Sequence, residues 1–277
     1  MPELTPGQKT LFASIDPLKG ANIIEKLAGG PASHSWLLSA GDEKFVLRMD
    51  RQIARRLGLN RQAELEILNS VAAAGIGPKV VWADPVKGIL VTSYISGNAW
   101  NAVDVQNPVK LEKLATTLRH LHSIPPKGPA FMAEKSALLY AKSAGTEKAM
   151  QIANQVAVLA KKLLSETKRT AICHNDLVYS NIIGDGPVRL IDWEYSAVGD
   201  PFFDLAIVVR HHQLNAERTA CFFKAYSDKP VEKHLSRLES FCRLYDQLAA
   251  LWYLSVIRQA GQNEILDEEL NRILTRL

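Results

Sequence analysis

Thiols are scarce in this sequence. Three cysteines, Cys173, Cys221 and Cys242, stand in 277 residues, an odd number with no CxxC pair. That excludes a disulfide scaffold or a thiolate zinc cluster and fits a reducing compartment. Long apolar runs are missing too. None reaches the roughly 18 residues that a membrane span needs, and the opening segment MPELTPGQKTLFASIDPLKG has no apolar core of signal-peptide length. The expectation is a cytoplasmic protein without a membrane partner. Charge of one sign is also thin: the net charge is +4 at pH 7. The basic residues are scattered, densest at Arg55–Arg61, and no basic stripe is interleaved with aromatics. No nucleic-acid partner is expected. There is no internal repeat and no low-complexity tract. The sequence sets no oligomeric state.

What is present is ordinary globular composition, 47% hydrophobic and 22% charged. The length suffices for one large domain or two lobes with real cores. The first third reads as mixed strand and helix. SHSWLLSAGDEKFVLRMD predicts a hairpin about Gly41-Asp42. Leu65, Leu68, Val71 and Ala72 fall at helical spacing, with Gly75 as the stop. Two short strands flank Pro85–Gly88. Gly97-Asn98 closes this unit, so residues 1–97 are read as an N-terminal lobe and 98–277 as a mainly helical C-terminal lobe. Asn107-Pro108 is a cap and first-turn signal. The stripe Leu111, Leu114, Ala115, Leu118 and Leu121 follows, stopped by Pro125-Pro126. One or two helices are expected over residues 132–167. Short strands then return, turning at GDGP (Gly184–Pro187), and the pattern is helical from Phe203 onward. The fold class is α+β: a small mixed lobe, a hinge and a larger helical lobe, a layout in which a nucleotide sits in the cleft.

One stretch concentrates the chemistry: AICHNDLVYSNIIGDGPVRLIDWEY, from Ala171 to Tyr195. It sets Asp176, Asn181, Asp192 and Glu194 among strand formers, where an unpaired carboxylate is costly to bury. Phosphoryl transfer needs positioning, metal ions and a carboxylate near the attacking hydroxyl. The kinase catalytic-loop pattern is H-R-D, four residues, then Asn. Here His174-Asn175-Asp176 precedes Asn181 at that spacing, with Asn in place of Arg. Asp176 would orient the acceptor hydroxyl and take its proton. Asn181 and Asp192 would offer the hard oxygens that Mg²⁺ prefers. An isolated Asp-x4-Asn also occurs in satisfied loops. The spacing, the turn and the second acid after it point to a metal–nucleotide site.

CHNDLVYSN followed by LIDWEYSAVGDPFFDLA resembles the choline kinase and aminoglycoside phosphotransferase superfamily, and most resembles bacterial choline kinases. The resemblance runs roughly from Ile23 to Ala260 and is most specific between Cys173 and Ala206. It implies a protein-kinase-like fold, ATP as donor and a small-molecule acceptor. LAGGPASHSWLL resembles the nucleotide-covering turn, with Ser33, His34 and Ser35 near phosphate after Gly29 and Gly30; a plain turn is the alternative. KFVLRMD resembles the strand with the phosphate-pairing cation, which would be Arg48 rather than Lys44. NRQAE resembles the helix motif whose acid pairs with it, Glu64, with Glu66 the rival. VTSYISG resembles the hinge, with backbone groups of Ser93, Tyr94 and Ile95 toward adenine. Glu194 is implied near the metal or the acceptor. Asp204 is implied as the acid bracing the catalytic loop with His174, and Asp200 is a second candidate for part of that role. His122 and Trp193 are read as packing or capping residues.

Choline is a quaternary ammonium alcohol, held by aromatic faces and a carboxylate. FCRLYDQLAALWYLSVIRQ offers Phe241, Tyr245, Asp246, Trp252 and Tyr253. The look-alikes carry Trp-x-x-Trp here; this chain has Trp252 and then Ser255. Tyr245 and Trp252 are acceptor-binding candidates, as is Tyr179 in the loop. Phe241, Leu244, Tyr245, Leu248 and Trp252 also form one helical stripe, the pattern of core packing. The function expected is an ATP- and Mg²⁺-dependent kinase of choline or ethanolamine. The alternatives are a kinase of thiamine, an aminoglycoside or another small alcohol, and an inactive kinase-like binding module. The short segment between Asp192 and DPFFDLA leaves no room for a peptide-docking activation loop.

Overall fold

The computed structural model describes residues 7, 10, 13–166, 170–184, 186–227, 232, 234–261 and 263–277. Five strands, β1 (Asn22–Leu27), β2 (Ser33–Ala40), β3 (Glu43–Asp50), β4 (Val80–Asp84) and β5 (Ile89–Ser93), form one antiparallel sheet. Their order is β1-β2-β3-β5-β4. The β2–β3 hairpin closes at Ala40↔Glu43, and Gly41 supplies the left-handed residue, φ 60°. A residue with a Cβ adopts that left-handed conformation only at a cost, although a Cβ there would meet open space. Alternation divides the sheet. Leu38, Phe45, Leu47, Ile89 and Val91 make a small core on one face with Ile15 and Leu18. The other face carries Arg48, opposite Ser35.

Between β3 and β4 lie the short helix α1 (Gln52–Arg56) and α2 (Arg61–Ala73). Asn60 caps α2 by accepting from the Ala63 amide at 3.1 Å. The buried face of α2 is Ala63, Glu64, Ile67, Leu68 and Val71. The expected stripe is thus shifted: Leu65 is only half-buried and Ile67 takes its place. The cause is Glu64, whose ion pairs turn the helix so that a charged side chain faces inward.

The rest is mainly helical: α3 (Pro108–Leu121), α4 (Ala133–Ala144), α5 (Glu147–Glu166), α6 (Phe202–His211), α7 (Ala216–Tyr226), α8 (Leu235–Ala260) and α9 (Glu264–Leu274). Asn107 caps α3 through Val109 and Lys110, and the five-residue stripe of α3 is completely buried. The expected helical region after residue 132 divides into α4 and α5 at Gly145, φ 70°. Two small ribbons interrupt the helices: β6 (Ala171–Cys173) with β9 (Ala197–Gly199), and β7 (Ile182–Ile183) with β8 (Arg189–Leu190). The expected GDGP turn joins β7 to β8; its Asp185 lies outside the described residues. The segment after Gly97 lies against β7, with the Trp100 amide donating to the Ile182 carbonyl at 2.9 Å. Among the described residues no helix is long and apolar enough to cross a membrane.

One large core joins α2 to these helices through Ile76, Leu190 and Trp193. Gly77 makes this approach possible. A Cβ there would stand 2.9 Å from Val71 Cγ2 and 3.1 Å from Trp193 Nε1. Overpacking of this kind costs about 1–3 kcal/mol. Gly77→Ala is therefore expected to lower the thermal unfolding midpoint by several degrees, as read by differential scanning calorimetry; an unchanged midpoint would contradict this packing.

Candidate active site

The loop after β6 is held from beneath by one acid. Asp204, on the first turn of α6 and completely buried, accepts from the His174 amide at 2.9 Å and the Asn175 amide at 2.8 Å. It also bonds His122 Nε2 at 3.0 Å, and His122 Nδ1 meets the Tyr226 hydroxyl at 2.9 Å. The expected bracing acid is thus Asp204. Asp200, the second candidate, pairs with Arg237 and accepts from the Phe202 amide. Asn175 takes φ 64°, a left-handed conformation that Asn tolerates better than a bulky residue. Its Nδ2 donates to the Tyr195 carbonyl at 2.9 Å.

His174 is buried against Trp193, ring centroids 4.5 Å apart. Its Nε2 faces the Ile191 carbonyl at 2.9 Å, and its Nδ1 faces the Asp176 amide at 3.3 Å. A carbonyl needs a proton from Nε2, and an amide N–H needs the lone pair of Nδ1. The bonding pattern therefore selects the neutral Nε2–H tautomer. Burial acts the same way and lowers the pKa of His174 despite Asp204. Trp193 itself is 1% exposed and donates to the Leu190 carbonyl, as a packing residue does.

Asn181 Nδ2 donates to Asp176 Oδ2 at 2.8 Å and to the Asp176 carbonyl at 2.9 Å. This fixes the amide and leaves its oxygen facing only Ser180 Oγ at 3.5 Å. Asp192 follows β8 with φ 62°, its side chain 37% exposed and 3.5 Å from Arg48 Nη1. Burial, and then the charge of Asp192, pushes the Asp176 carboxyl up to about 7. Burial also raises Asp192, while Arg48 pulls it back. Two carboxylates and one amide oxygen form a donor set that suits a hard divalent cation, and neutralising their mutual repulsion favours binding. Among the described residues, the triple of ligand-type side chains with closely converging atoms is His122, Cys173 and Asp204. It is buried beneath the loop, and Asp204 there is already bonded to two amides and a histidine.

Arg48 and Glu64 meet through two parallel contacts of 2.6 Å. Both are buried. Burial opposes ionisation of Glu64, but Arg48 and Arg61 outweigh it and hold the carboxyl below its usual range. Arg48, not Lys44, and Glu64, not Glu66, form the pair. Glu194 is tied to Arg61 by one of its oxygens: its Oε2 is 3.1 Å from both Nη1 and Nη2. Burial and Asp192 nevertheless push its carboxyl up to about 8.

The remaining expected positions divide. Ser33, His34 and Ser35 do not form a turn; they begin β2. Strand alternation puts Ser33 and Ser35 on the face of Arg48 and turns His34 to the other face, where its ring lies 5.9 Å from Trp36. In the hinge, the Ser93 amide is taken by the Lys79 carbonyl and the Tyr94 amide by the Lys44 carbonyl. Tyr179 lies over His211 and His212, with centroids 5.0 and 4.4 Å away. Asp246 is spent on Arg276 at 2.6 Å and Arg210 at 3.1 Å. Ser255 is buried and bonds Ser143 at 2.9 Å. Trp252 is half-buried; it packs on the core and donates from Nε1 to the Tyr195 hydroxyl at 2.8 Å. Phe241, Leu244 and Leu248 are core residues.

Sequence reasoning missed several residues. Burial raises the phenol pKa values of Tyr140, Tyr195, Tyr245 and Tyr253, and the charge of Asp176 adds to it in each case. Tyr245 and Tyr253 were among the residues the sequence offered; Tyr140 and Tyr195 were not. Tyr195 adjoins Glu194, which was a usable signal; Tyr140, on α4, gave none. Arg61 was visible as the i,i+3 partner of Glu64. His212, whose Nε2 bonds the Leu177 carbonyl at 2.8 Å, could not be found without the fold.

The sheet of five strands, the ion pair beneath it and the braced Asp-x4-Asn loop define a kinase fold of the α+β, two-lobe kind. The chain belongs to the phosphotransferase enzyme family, whose model matches residues 23–251. It is 24% identical over 262 residues to protein LicA of Haemophilus influenzae, covering 85% of this chain and 74% of that protein. Among solved structures it is similar to choline kinase LicA from Streptococcus pneumoniae, with TM-score 0.79, 23% identity and 98% of each chain covered. It is similar also to a choline/ethanolamine kinase family protein from Mesorhizobium loti, with TM-score 0.79, 23% identity and 97% and 91% covered. The chain is a small-molecule phosphotransferase with a protein-kinase-like fold.

The buried histidines give a pH dependence. Burial pushes His211 down to about 4 and His212 down to about 3. An unfolded histidine titrates near 6.5. Between these values the unfolded chain binds more protons, so stability is full above pH 6.5 and is lost as pH falls through the window below it. Chemical denaturation between pH 7.5 and 5 is expected to show a falling midpoint. The fall is expected to be smaller in His211→Gln; a slope identical to that of the unsubstituted chain would refute the assignment.

Proposed function

We propose that the chain transfers the γ-phosphate of ATP, with Mg²⁺, to the hydroxyl of choline or ethanolamine. The observation that carries this reading is the fixed amide of Asn181: by donating to Asp176 it leaves its oxygen with only a 3.5 Å contact to Ser180 Oγ. Asp176 is the group that orients the acceptor hydroxyl and receives its proton. Asn181 and Asp192 hold Mg²⁺, which when bound neutralises phosphate charge. Arg48, fixed by Glu64, pairs with phosphate oxygens as a permanently charged fork. Ser33 and Ser35 lie on the same face of the sheet. Ile95 offers backbone groups to adenine at the boundary between a nucleotide-binding lobe, 1–97, and an acceptor-binding lobe, 98–277. The transfer belongs in the cytoplasm, where ATP is available.

The acceptor reading rests on the aromatic surroundings of Asp176. Tyr195, Trp252, Tyr245, Tyr253 and Tyr140 supply aromatic rings, and a bound cation favours the charged form of Glu194, whose carboxyl burial and Asp192 have pushed up to about 8. A cationic headgroup is attracted by both. Ethanolamine adds N–H groups that phenol oxygens can accept. The names of the structural neighbours, choline kinase and choline/ethanolamine kinase, support this reading.

The test is ADP release with Mg²⁺-ATP against choline, ethanolamine, thiamine, kanamycin and simple sugars. Turnover is expected with choline or ethanolamine, and Asp176→Ala is expected to lower kcat by about 10²–10⁴, the usual range for a positioned base. Turnover confined to thiamine or kanamycin would keep the chemistry and overturn the acceptor. Tight ATP binding without turnover on any acceptor would favour an inactive binding module.

A further inference from the structure

Arg61 is the most fully bonded cation in the cleft, and no role in the reaction proposed above accounts for it. It stands on the first turn of α2 with its side chain 8% exposed. All five guanidinium donors are engaged. Nε and Nη2 donate to the two oxygens of Asp50 at 2.9 and 2.6 Å. Nη1 donates to Glu64 Oε2 at 3.0 Å, and Nη1 and Nη2 both reach Glu194 Oε2 at 3.1 Å. The three carboxylates come from three places: the end of β3, helix α2, and the segment that carries Asp192. The other ionic link from that segment to β3, Arg48 to Asp192, is a single contact of 3.5 Å.

The geometry points to Arg61 as a positioning residue for phosphoryl transfer: it fixes Glu194, and with it the Asp192 segment, against the Arg48–Glu64 pair. The inference rests on the phosphotransfer reading. A planar fork with five donors can hold three carboxylates in one arrangement. The ammonium of a lysine, a point with three donors, holds the charge without the alignment. If the role were only to neutralise buried acids, Lys would replace Arg with little effect on turnover. If the role is alignment, Lys keeps stability and loses rate. Binding of ATP itself stays nearly intact, because Arg48 keeps both contacts to Glu64.

The experiment is a double-mutant cycle on kcat and on KM for ATP, using Arg61→Lys, Arg61→Met, Glu194→Gln and the combinations. Thermal midpoints are measured alongside. Arg61→Lys is expected to lower kcat roughly tenfold with KM for ATP within about threefold, and Arg61→Met more. In the Glu194→Gln background, the loss on changing Arg61 is expected to shrink to less than about threefold, the sign of coupled residues. Should Arg61→Met fail to fold, the cycle with Arg61→Lys carries the same test. Equal losses in both backgrounds, or a lowered midpoint with kcat unchanged in Arg61→Lys, would overturn the inference alone. Absence of phosphotransfer in the unsubstituted protein on every acceptor would overturn the reading beneath it and this inference together.

Discussion

The arrangement of the site depends on one buried carboxylate. Asp204 has no exposure to water and spends its oxygens on the amides of His174 and Asn175 and on His122. An ionised carboxylate is tolerated at that depth only because each of those bonds is made. Its position on α6 therefore dictates where the loop begins. His174 passes the constraint to Asp176 through the amide at its Nδ1, and Asn181 ties the far end of the loop back to Asp176. Asp176, placed where an acid is costly, is held there by the loop rather than by a charge of opposite sign.

A second constraint acts across the cleft. Two guanidinium groups, Arg48 and Arg61, face four carboxylates, Asp50, Glu64, Asp192 and Glu194. The ion pairs satisfy Asp50 and Glu64 fully. Asp192, and Asp176 beside it, keep unbalanced negative charge, and this is the electrostatic reason that a divalent cation fits. Burial first, and then the charge of Asp192, raises the carboxyl pKa values of Asp176 and Glu194. The strong pairs fix the framework and leave Asp176 and Asp192 as its less fully paired acids.

Much of this was legible in the residues, for identifiable reasons. The Asp-x4-Asn spacing, the β2–β3 hairpin, the α3 cap and stripe, and the Arg48–Glu64 pair are local or motif-level features. The errors came from facing and from distance. The resemblance groups Ser33, His34 and Ser35 at phosphate; they open β2, as the hairpin reading has it, and alternation then turns His34 away from the other two. Tyr179 sits in the loop by sequence, but its ring finds His211 and His212. Asp246 looks like a cation ligand on an aromatic helix until Arg210 and Arg276, from distant segments, occupy it. Tyr140 and His212 reach the site or its loop only through tertiary packing, which periodicity does not encode.

The central claim is that phosphate, metal and acceptor meet between Arg48 and the Asp176–Asn181–Asp192 set. A crystal structure with a non-hydrolysable ATP analogue and Mn²⁺, located by its anomalous signal, tests it most directly. The expected result is a metal peak bound by Asn181 and Asp192, with Arg48 on a phosphate oxygen and still paired to Glu64. A metal peak at His122, Cys173 and Asp204, or a nucleotide bound away from Arg48, would contradict it.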